Sequence, residues 1–458
     1  MVDLGIDRHL ARQFHHATLN VHNQSDTVIA VQMRNASSNS SSPRTGGLLQ
    51  SGIIFSMASF LVGLGNYAFQ AIIGRQLARG EFGLVNSTIS FVGLLNLPLL
   101  VATTAVTHYI ARFNFSGDDA RLQGLLAGCR RFLFHLTLAG SATAIILVKP
   151  LSNFFHFPRA SLMLVALCCV LAGLWGSFAA ALCQGLAWFK RLAFIGLFAV
   201  ILRILFGWLS TKIWHMAELA VLASAVMYLA YLALFFWRKD FPRRTDTVIS
   251  PWTSEFIQFL VVSASCLFGT YCFLQSDLLV AQRYFSGMEL GNYSAAGLLG
   301  RALPMTVAPL LTVLFTHRSG QSQGGALREQ LKLLGLYAAT LICGAVVLFT
   351  LRHLLVKLIF GKPAPEAAEM IGRFVMTMVF VGLLQALGMW SLASRWIKLA
   401  LLYGGLGLVY WVLLLCFGKT PANLLHVMPE ATGIAFGVLF LIWLFTMLKP
   451  KLILPGQS

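Results

Sequence analysis

The sequence predicts an all-α polytopic membrane protein of about twelve transmembrane helices, arranged as two six-helix lobes related by a parallel internal repeat. Three observations carry that expectation. Hydrophobic residues make up 57% of the 458-residue chain and charged residues only 11%, with a mean hydropathy of +0.76, whereas soluble domains carry about 25% charge. The apolar residues gather in runs of roughly 20, the length at which a helix crosses a bilayer with its own backbone hydrogen bonds satisfied. Two separate loops recur at a constant offset of 208 residues.

The chain opens with residues 1–46, rich in Ser, Asn and Thr in "NASSNSSSPRTGG" and without an apolar core long enough for a signal peptide. This segment reads as a disordered cytoplasmic tail, with Met33 as a second candidate start of translation beside Met1. Asn35 and Asn39 fit the glycosylation pattern, yet a cytoplasmic tail never meets the glycosylation machinery. Six spans follow at 51–73, 84–110, 125–148, 161–186, 192–211 and 217–237, forming an N-lobe over 47–240. A polar cytoplasmic linker at 241–254 leads to a C-lobe over 255–448, with spans at 256–280, 290–315, 331–351, 371–393, 399–417 and 430–448. Residues 449–458 form a second cytoplasmic tail, and 352–370 is read as the longest outer loop.

Orientation follows from Lys and Arg, because short loops rich in them stay cytoplasmic. With the N-terminus inside, the cytoplasmic segments hold 21 of the 34 basic residues; the outer segments hold 11, and Arg203 and Arg301 lie within spans. Both termini are therefore cytoplasmic in this reading, and the cell inner (cytoplasmic) membrane is the location it implies. The net charge of +18 then sits beside the bilayer, facing anionic headgroups, which argues against nucleic acid as a partner. All eight cysteines lie in or at the edge of apolar runs. Neither a disulfide framework nor a metal site is indicated, and no cofactor is expected.

The repeat pairs "RQLARGEFGLVNS" (Arg75 to Ser87) with "RYFSGMELGNYSA" (Arg283 to Ala295), matching Arg75 to Arg283, Glu81 to Glu289 and Gly83 to Gly291. The same offset sets "GLAWFKRLAFIG" (185–196) over "ASRWIKLALLYG" (393–404). Six spans separate the copies, so each enters the membrane in the same direction, a parallel repeat about an axis along the membrane normal. Gly80, Gly83, Gly287 and Gly291 suit tight turns and close helix approach. Glu81 and Glu289 fall in the first turn of the following helices, where a carboxylate suits the positive end of the dipole.

These loops, with "QGLAWFKRLAFIGLFAVILRILFG" (184–207) and "SDLLVAQRYFSGMELGNYSAAGLLGRALP" (276–304), resemble the polysaccharide transporter branch of the multidrug/oligosaccharidyl-lipid/polysaccharide superfamily. The resemblance covers nearly all of the chain after residue 47. It implies a V-shaped fold like that of the superfamily's multidrug (MATE) exporters, and an O-antigen or exopolysaccharide flippase that moves a polyprenyl-diphosphate-linked glycan by alternating access. A glycan polymerase and glycosyltransferases are the partners it implies, besides the lipid bilayer. Where the family's loops commonly read Leu-Gly-Pro before the acid, this chain has Leu-Ala-Arg-Gly and Phe-Ser-Gly-Met.

Function is expected in residues that are polar at membrane depth, since each charge there costs about 2.5–3.5 kcal/mol even on the lenient insertion scale. Arg203 and Arg301 are the clearest. Their counterparts at the offset are Trp411 and Gly93, so the scaffold repeats and its cations do not. A guanidinium fork matches phosphate oxygens, which makes the two arginines candidates for a cationic substrate cavity; burial against a carbonyl or Asp277, or snorkelling, is the structural alternative. Asp277 is a candidate for ion coupling or for an ion pair with Arg283. Asn66, Gln70, Asn96, His108, His135, Gln184, Gln275 and Gln385 are candidates to line a sugar-binding cavity, or to join helices by hydrogen bonds.

Two other classes compete. A cation-coupled multidrug exporter would share the fold but favour buried carboxylates. A membrane glycan polymerase or glycosyltransferase would want a sizeable outer loop with paired acids or a metal. No nucleophile and base pairing or Gly-rich phosphate loop is present, and the chain is read as a transporter, not an enzyme.

Overall fold

The computed structural model describes residues 45–236, 254–319, 327–361, 364–394 and 396–448. The described residues form thirteen helices and no strand. In order these are α1 (Thr45–Gln76), α2 (Arg79–Ser116), α3 (Asp119–Phe154), α4 (Ala160–Gly185), α5 (Phe189–Trp214), α6 (Ala217–Phe236) and α7 (Ser254–Tyr284). They continue as α8 (Gly287–Ser319), α9 (Leu327–Thr350), α10 (Arg352–Phe360), α11 (Pro365–Ala393), α12 (Ile397–Phe417) and α13 (Pro421–Leu448). All but α10 are long, one for each predicted span, and ten are long and apolar enough to cross a membrane. The chain is a multi-pass membrane protein. By contacts it divides into residues 1–54 and a second unit, 55–458, to which everything below refers. The tails and linker expected at 1–46, 241–254 and 449–458 lie almost wholly outside the described residues.

One expected loop is a correction. Within 352–370, Arg352–Phe360 folds as α10 and α11 already begins at Pro365. Nine residues are too few to cross a bilayer, so a search for spans passes over them. The segment nonetheless turns Val356 into the core. Gly361 then stops it with φ +68, its N–H bonding the carbonyl of Lys357 at 2.9 Å, and Pro365 stands in the first turn of α11, where its missing N–H costs nothing.

The packing order repeats with the sequence. Helix α2 lies on α4, and α4 and α5 on α6; α8 lies on α11, and α11 and α12 on α13. The first helix of each set packs on the fifth through small residues. A Cβ on Gly65 would stand 2.9 Å from Val200, and one on Gly407 would stand 2.8 Å from the Cα of Gly269. Such backbone approach is the means by which helices associate where lipid removes the hydrophobic drive.

The two sets meet through α2, which packs on both α7 and α8. At one end the repeated loops touch each other. A Cβ on Gly80 would lie 3.2 Å from the Cα of Gly287, and one on Gly83 would lie 2.7 Å from Leu290 and 3.0 Å from the N of Gly291. A Cβ on Gly291 would collide with the carbonyl of Arg79. The glycines of the repeat therefore serve a contact between the sets as well as their own turns.

The repeated arginines serve the same end. Arg283 Nη1 donates to the carbonyl of Phe154, the last residue of α3, at 2.7 Å; Arg75 Nη2 donates to the carbonyl of Leu358 in the last turn of α10. Each repeat-related guanidinium thus satisfies a carbonyl at the C-terminal end of a helix in the opposite set, where no intrahelical donor remains and the dipole is negative. Asn292 adds a third link, accepting from Arg79 Nη1 at 3.0 Å and donating to Glu366.

Glu81 and Glu289 do sit in the first turns of α2 and α8, but their surroundings differ. Glu289 is exposed, whereas Glu81 pairs with Arg159, which also reaches Glu218 at 3.1 Å. Ser161 donates to the same Glu218 at 2.8 Å, so the starts of α2, α4 and α6 are tied together.

Candidate functional site

A cavity of about 430 Å³ opens between α2, α4, α5 and α6 on one side and α7 on the other. Its polar wall comes from Ser90 and Asn96 on α2, Ser224 and Tyr228 on α6, and Thr270 and Gln275 on α7, with Arg203 reaching in from α5. A second cavity of about 400 Å³, between α2, α3 and α4, is lined almost entirely by Leu, Val, Ala and Phe and bears no charge.

Arg203 stands midway along α5 and is only 7% exposed. Its Nη1 donates to Asn66 Oδ1 at 2.6 Å, and its Cζ lies 4.2 Å from the centre of the Phe69 ring, a distance at which the ring face attracts a cation. Its Nε has no hydrogen-bond partner among the described residues. No carboxylate among the described residues pairs with it.

Arg301 has a different environment. It is 5% exposed, and its Nη2 lies 2.5 Å from Oδ2 of Asp277, itself 1% exposed. Arg301 Nε donates to the carbonyl of Leu274 at 2.6 Å, and Tyr293 donates its hydroxyl to the same Asp277 oxygen at 2.9 Å. Both structural alternatives raised from the sequence, a carbonyl and Asp277, are therefore met at Arg301. Helical side chains lean towards the N-terminus of their helix, which carries the guanidinium back along α8 towards Asp277 near the end of α7.

The expected pairing of Asp277 with Arg283 is corrected. Six residues apart on one helix, the two are separated by about 9 Å of rise and about 240° of turn, so they face away from each other. Arg283 instead caps α3, with its Cζ 4.8 Å from the centre of the Phe154 ring.

The two deep arginines share a relation that their own positions hide. At the offset of 208, Asn66 corresponds to Leu274 and Phe69 to Asp277. Arg203, on α5, engages the first pair on α1; Arg301, on α8, engages the second pair on α7. The cations come from non-equivalent helices and settle on equivalent places of the scaffold.

Of the other candidates, Asn96 and Gln275 line the cavity with Arg203. Asn96 Oδ1 is buried with no partner among the described residues, and Gln275 accepts from Ser90 Oγ at 2.7 Å, joining α7 to α2. Asn66 serves Arg203 rather than the cavity wall. Gln70 is half-buried with no partner for its Oε1 among the described residues, and Gln184 lines a separate cavity of about 170 Å³ with Ser59 and Tyr231. Gln385, half-buried on α11, lines none of these cavities. His135 is exposed, and the side chain of His108 lies outside the described residues.

Sequence reasoning missed the hydroxyls that join the two sets of helices. Tyr271 donates to the carbonyl of Ser90, and Ser87 hydrogen-bonds the side-chain oxygen of Gln282 at 2.5 Å. Ser87 closes the first repeated motif, which was a usable signal. Ser90 and Tyr271 carry none, because serine within a helix more often bonds the carbonyl four residues back, as Ser276 does to Cys272.

Neither a protein-family model nor a curated protein matches the sequence. Solved structures do resemble the fold. The lipid II flippase MurJ in an inward closed conformation superposes with a TM-score of 0.65 at 13% identity, over 85% of this chain and 87% of that one. A multidrug resistance MATE family transporter in an inward-facing conformation gives 0.61 at 13% identity, over 84% of this chain and 95% of that one. An outward-facing MATE transporter gives 0.53 at 13% identity, over 89% and 96%. The chain thus has the all-helical fold shared by the lipid II flippase MurJ and the MATE transporters.

Proposed function

We propose that the protein is a flippase for a lipid-linked saccharide, carrying its phosphate-bearing head across the cytoplasmic membrane through the Arg203 cavity. The observation that carries this reading is a guanidinium at membrane depth with no carboxylate partner among the described residues, facing a cavity between the two sets of helices. A buried charge is kept only where something compensates it. An anionic head supplies that compensation, while the neighbouring Ser, Thr, Asn and Gln groups suit sugar hydroxyls. The likeness to a lipid II flippase supports a lipid-linked substrate.

In this reading residues 47–240 and 255–448 act as two lobes that rock about the cavity, with both termini cytoplasmic. The positive-inside count places the Gly80 and Gly287 contact at the outer face, so the conformation described is closed outwards. An inside-negative membrane potential favours outward passage of the anion, by about 2.3 kcal/mol per charge per 100 mV. Glycosyltransferases that build the saccharide and a polymerase that extends it are the partners implied.

The likeness to MATE transporters supports a second reading, cation-coupled drug export. The cavity weighs against it, since its lining holds an arginine and no carboxylate. Purified protein in liposomes separates the two. Translocation of a fluorescent polyprenyl-linked saccharide, with no uptake of a cationic dye, is the expected result; dye transport without lipid movement overturns the flippase reading.

A further inference from the structure

The charges around the cavity bear on the charge of the head it carries. Among the described residues Arg203 is the one charged residue in the lining, and the remaining polar groups there are neutral hydroxyls, phenols and amides. Arg301 adds no net charge, because Asp277 holds it at 2.5 Å and both are buried. The described lining therefore carries a formal charge of +1, compensated among the described residues by the Asn66 carbonyl and the Phe69 ring. Three polar atoms on the same wall, Arg203 Nε, Asn96 Oδ1 and Ser224 Oγ, have no hydrogen-bond partner among the described residues. Buried unpaired polar atoms and charges are costly, and together they describe a site completed by a ligand.

A ligand with one negative charge restores neutrality. The phosphodiester that joins a polyprenol to a sugar through one phosphate carries one; a diphosphate diester carries two and leaves a buried charge of −1. We infer that the substrate is a saccharide linked to its lipid through a single phosphate, rather than through a diphosphate. Asn66 fixes Nη1 and leaves the Nε edge of the planar fork to the phosphate oxygens. A volume of about 430 Å³ sits near the small end of ligand sites, which suits a phosphate with a short saccharide. This inference rests on the flippase reading and narrows it.

The test uses the full-length protein in liposomes with two fluorescent lipids of identical tail and sugar, differing only in one phosphate against two. Movement is read by chemical quenching of the label in the outer leaflet. The monophosphate lipid is expected to move at least about tenfold faster, a ratio of the size that one buried unpaired charge readily supplies. Arg203→Gln is expected to remove most of that movement. Asp277→Asn leaves Arg301 as a second uncompensated cation and is expected to shift the ratio towards the diphosphate lipid. Equal or faster movement of the diphosphate lipid by the unmodified protein overturns the inference and leaves the flippase reading standing. Movement of neither lipid overturns both. An unchanged ratio in a monodisperse Asp277→Asn protein contradicts the charge count itself.

Discussion

Asp277 and Arg301 form a buried ion pair that joins α7 to α8, Oδ2 to Nη2 at 2.5 Å, with Tyr293 donating to the same oxygen. A pair this deep is better evidence of mutual dependence than of net stability, because desolvation offsets much of the attraction. Asp277 Oδ1 has no hydrogen-bond partner among the described residues.

Removing one member should therefore cost more than removing both. Arg301→Gln or Asp277→Asn alone is expected to destabilise the protein by about 3–5 kcal/mol, by stranding the other charge. The double variant should recover a large share of that loss. A double-mutant cycle on the apparent melting temperature in detergent checks this, and equal additive losses would show that the two do not act as a pair.

The glycines between the sets make a second prediction. A methyl group on Gly291 collides with the backbone of Arg79, and one on Gly83 presses on Leu290. Gly291→Ala should open the end where the repeated loops meet. In a background without native cysteines, a cysteine at Ser90 on the cavity wall should then react faster with an impermeant maleimide from the outside. Unchanged labelling would mean that this contact does not hold the end closed.

Arg75 and Arg283 make a third. Each supplies a charged donor to a helix-end carbonyl across the interface, and such bonds contribute about 1.5–3 kcal/mol. Arg283→Gln should raise the same labelling rate several-fold. Adding Arg75→Gln should raise it further, since the two arginines cap the ends of different helices. The Arg283→Lys variant retains the charge and should recover part of the loss, which a mere volume effect would not do.

Arg159 belongs to the stability of the first set of helices rather than to gating. It bridges Glu81 and the nearly buried Glu218, so Arg159→Gln leaves a buried carboxylate with Ser161 alone. A loss of about 1–3 kcal/mol is expected, above the 0–1 of an ordinary surface pair. It should appear in thermal unfolding and leave cysteine labelling at Ser90 unchanged.

The fold was legible because the bilayer imposes it. Twelve runs of apolar residues could satisfy their backbones only as helices, and the described residues form twelve long helices. The repeat was legible as well, and the residues of its first motif, among them Gly80, Gly83, Gly287 and Gly291, lie where the two sets touch. Helix α10 was not, since nine residues leave no span-length signal. At the site, the sequence singled out Arg203 and Arg301 by charge alone and treated them alike. Only tertiary structure separates them: Asp277 and Arg301 are 24 residues apart on different helices, and nothing local marks the partner. Asp277 with Arg283 looked plausible by proximity in sequence, yet helical geometry turns them apart. The hydroxyls of Ser90 and Tyr271 were invisible because serine and tyrosine have ordinary uses throughout apolar helices.

The most direct measurement is lipid translocation by Arg203→Gln beside Arg203→Lys, in liposomes holding equal amounts of folded protein. A lipid-linked saccharide phosphate should be moved at least about tenfold more slowly by the Gln variant, with partial recovery in the Lys variant, which keeps the charge but loses the fork. Undiminished translocation by Arg203→Gln would contradict the assignment of this cavity to an anionic head.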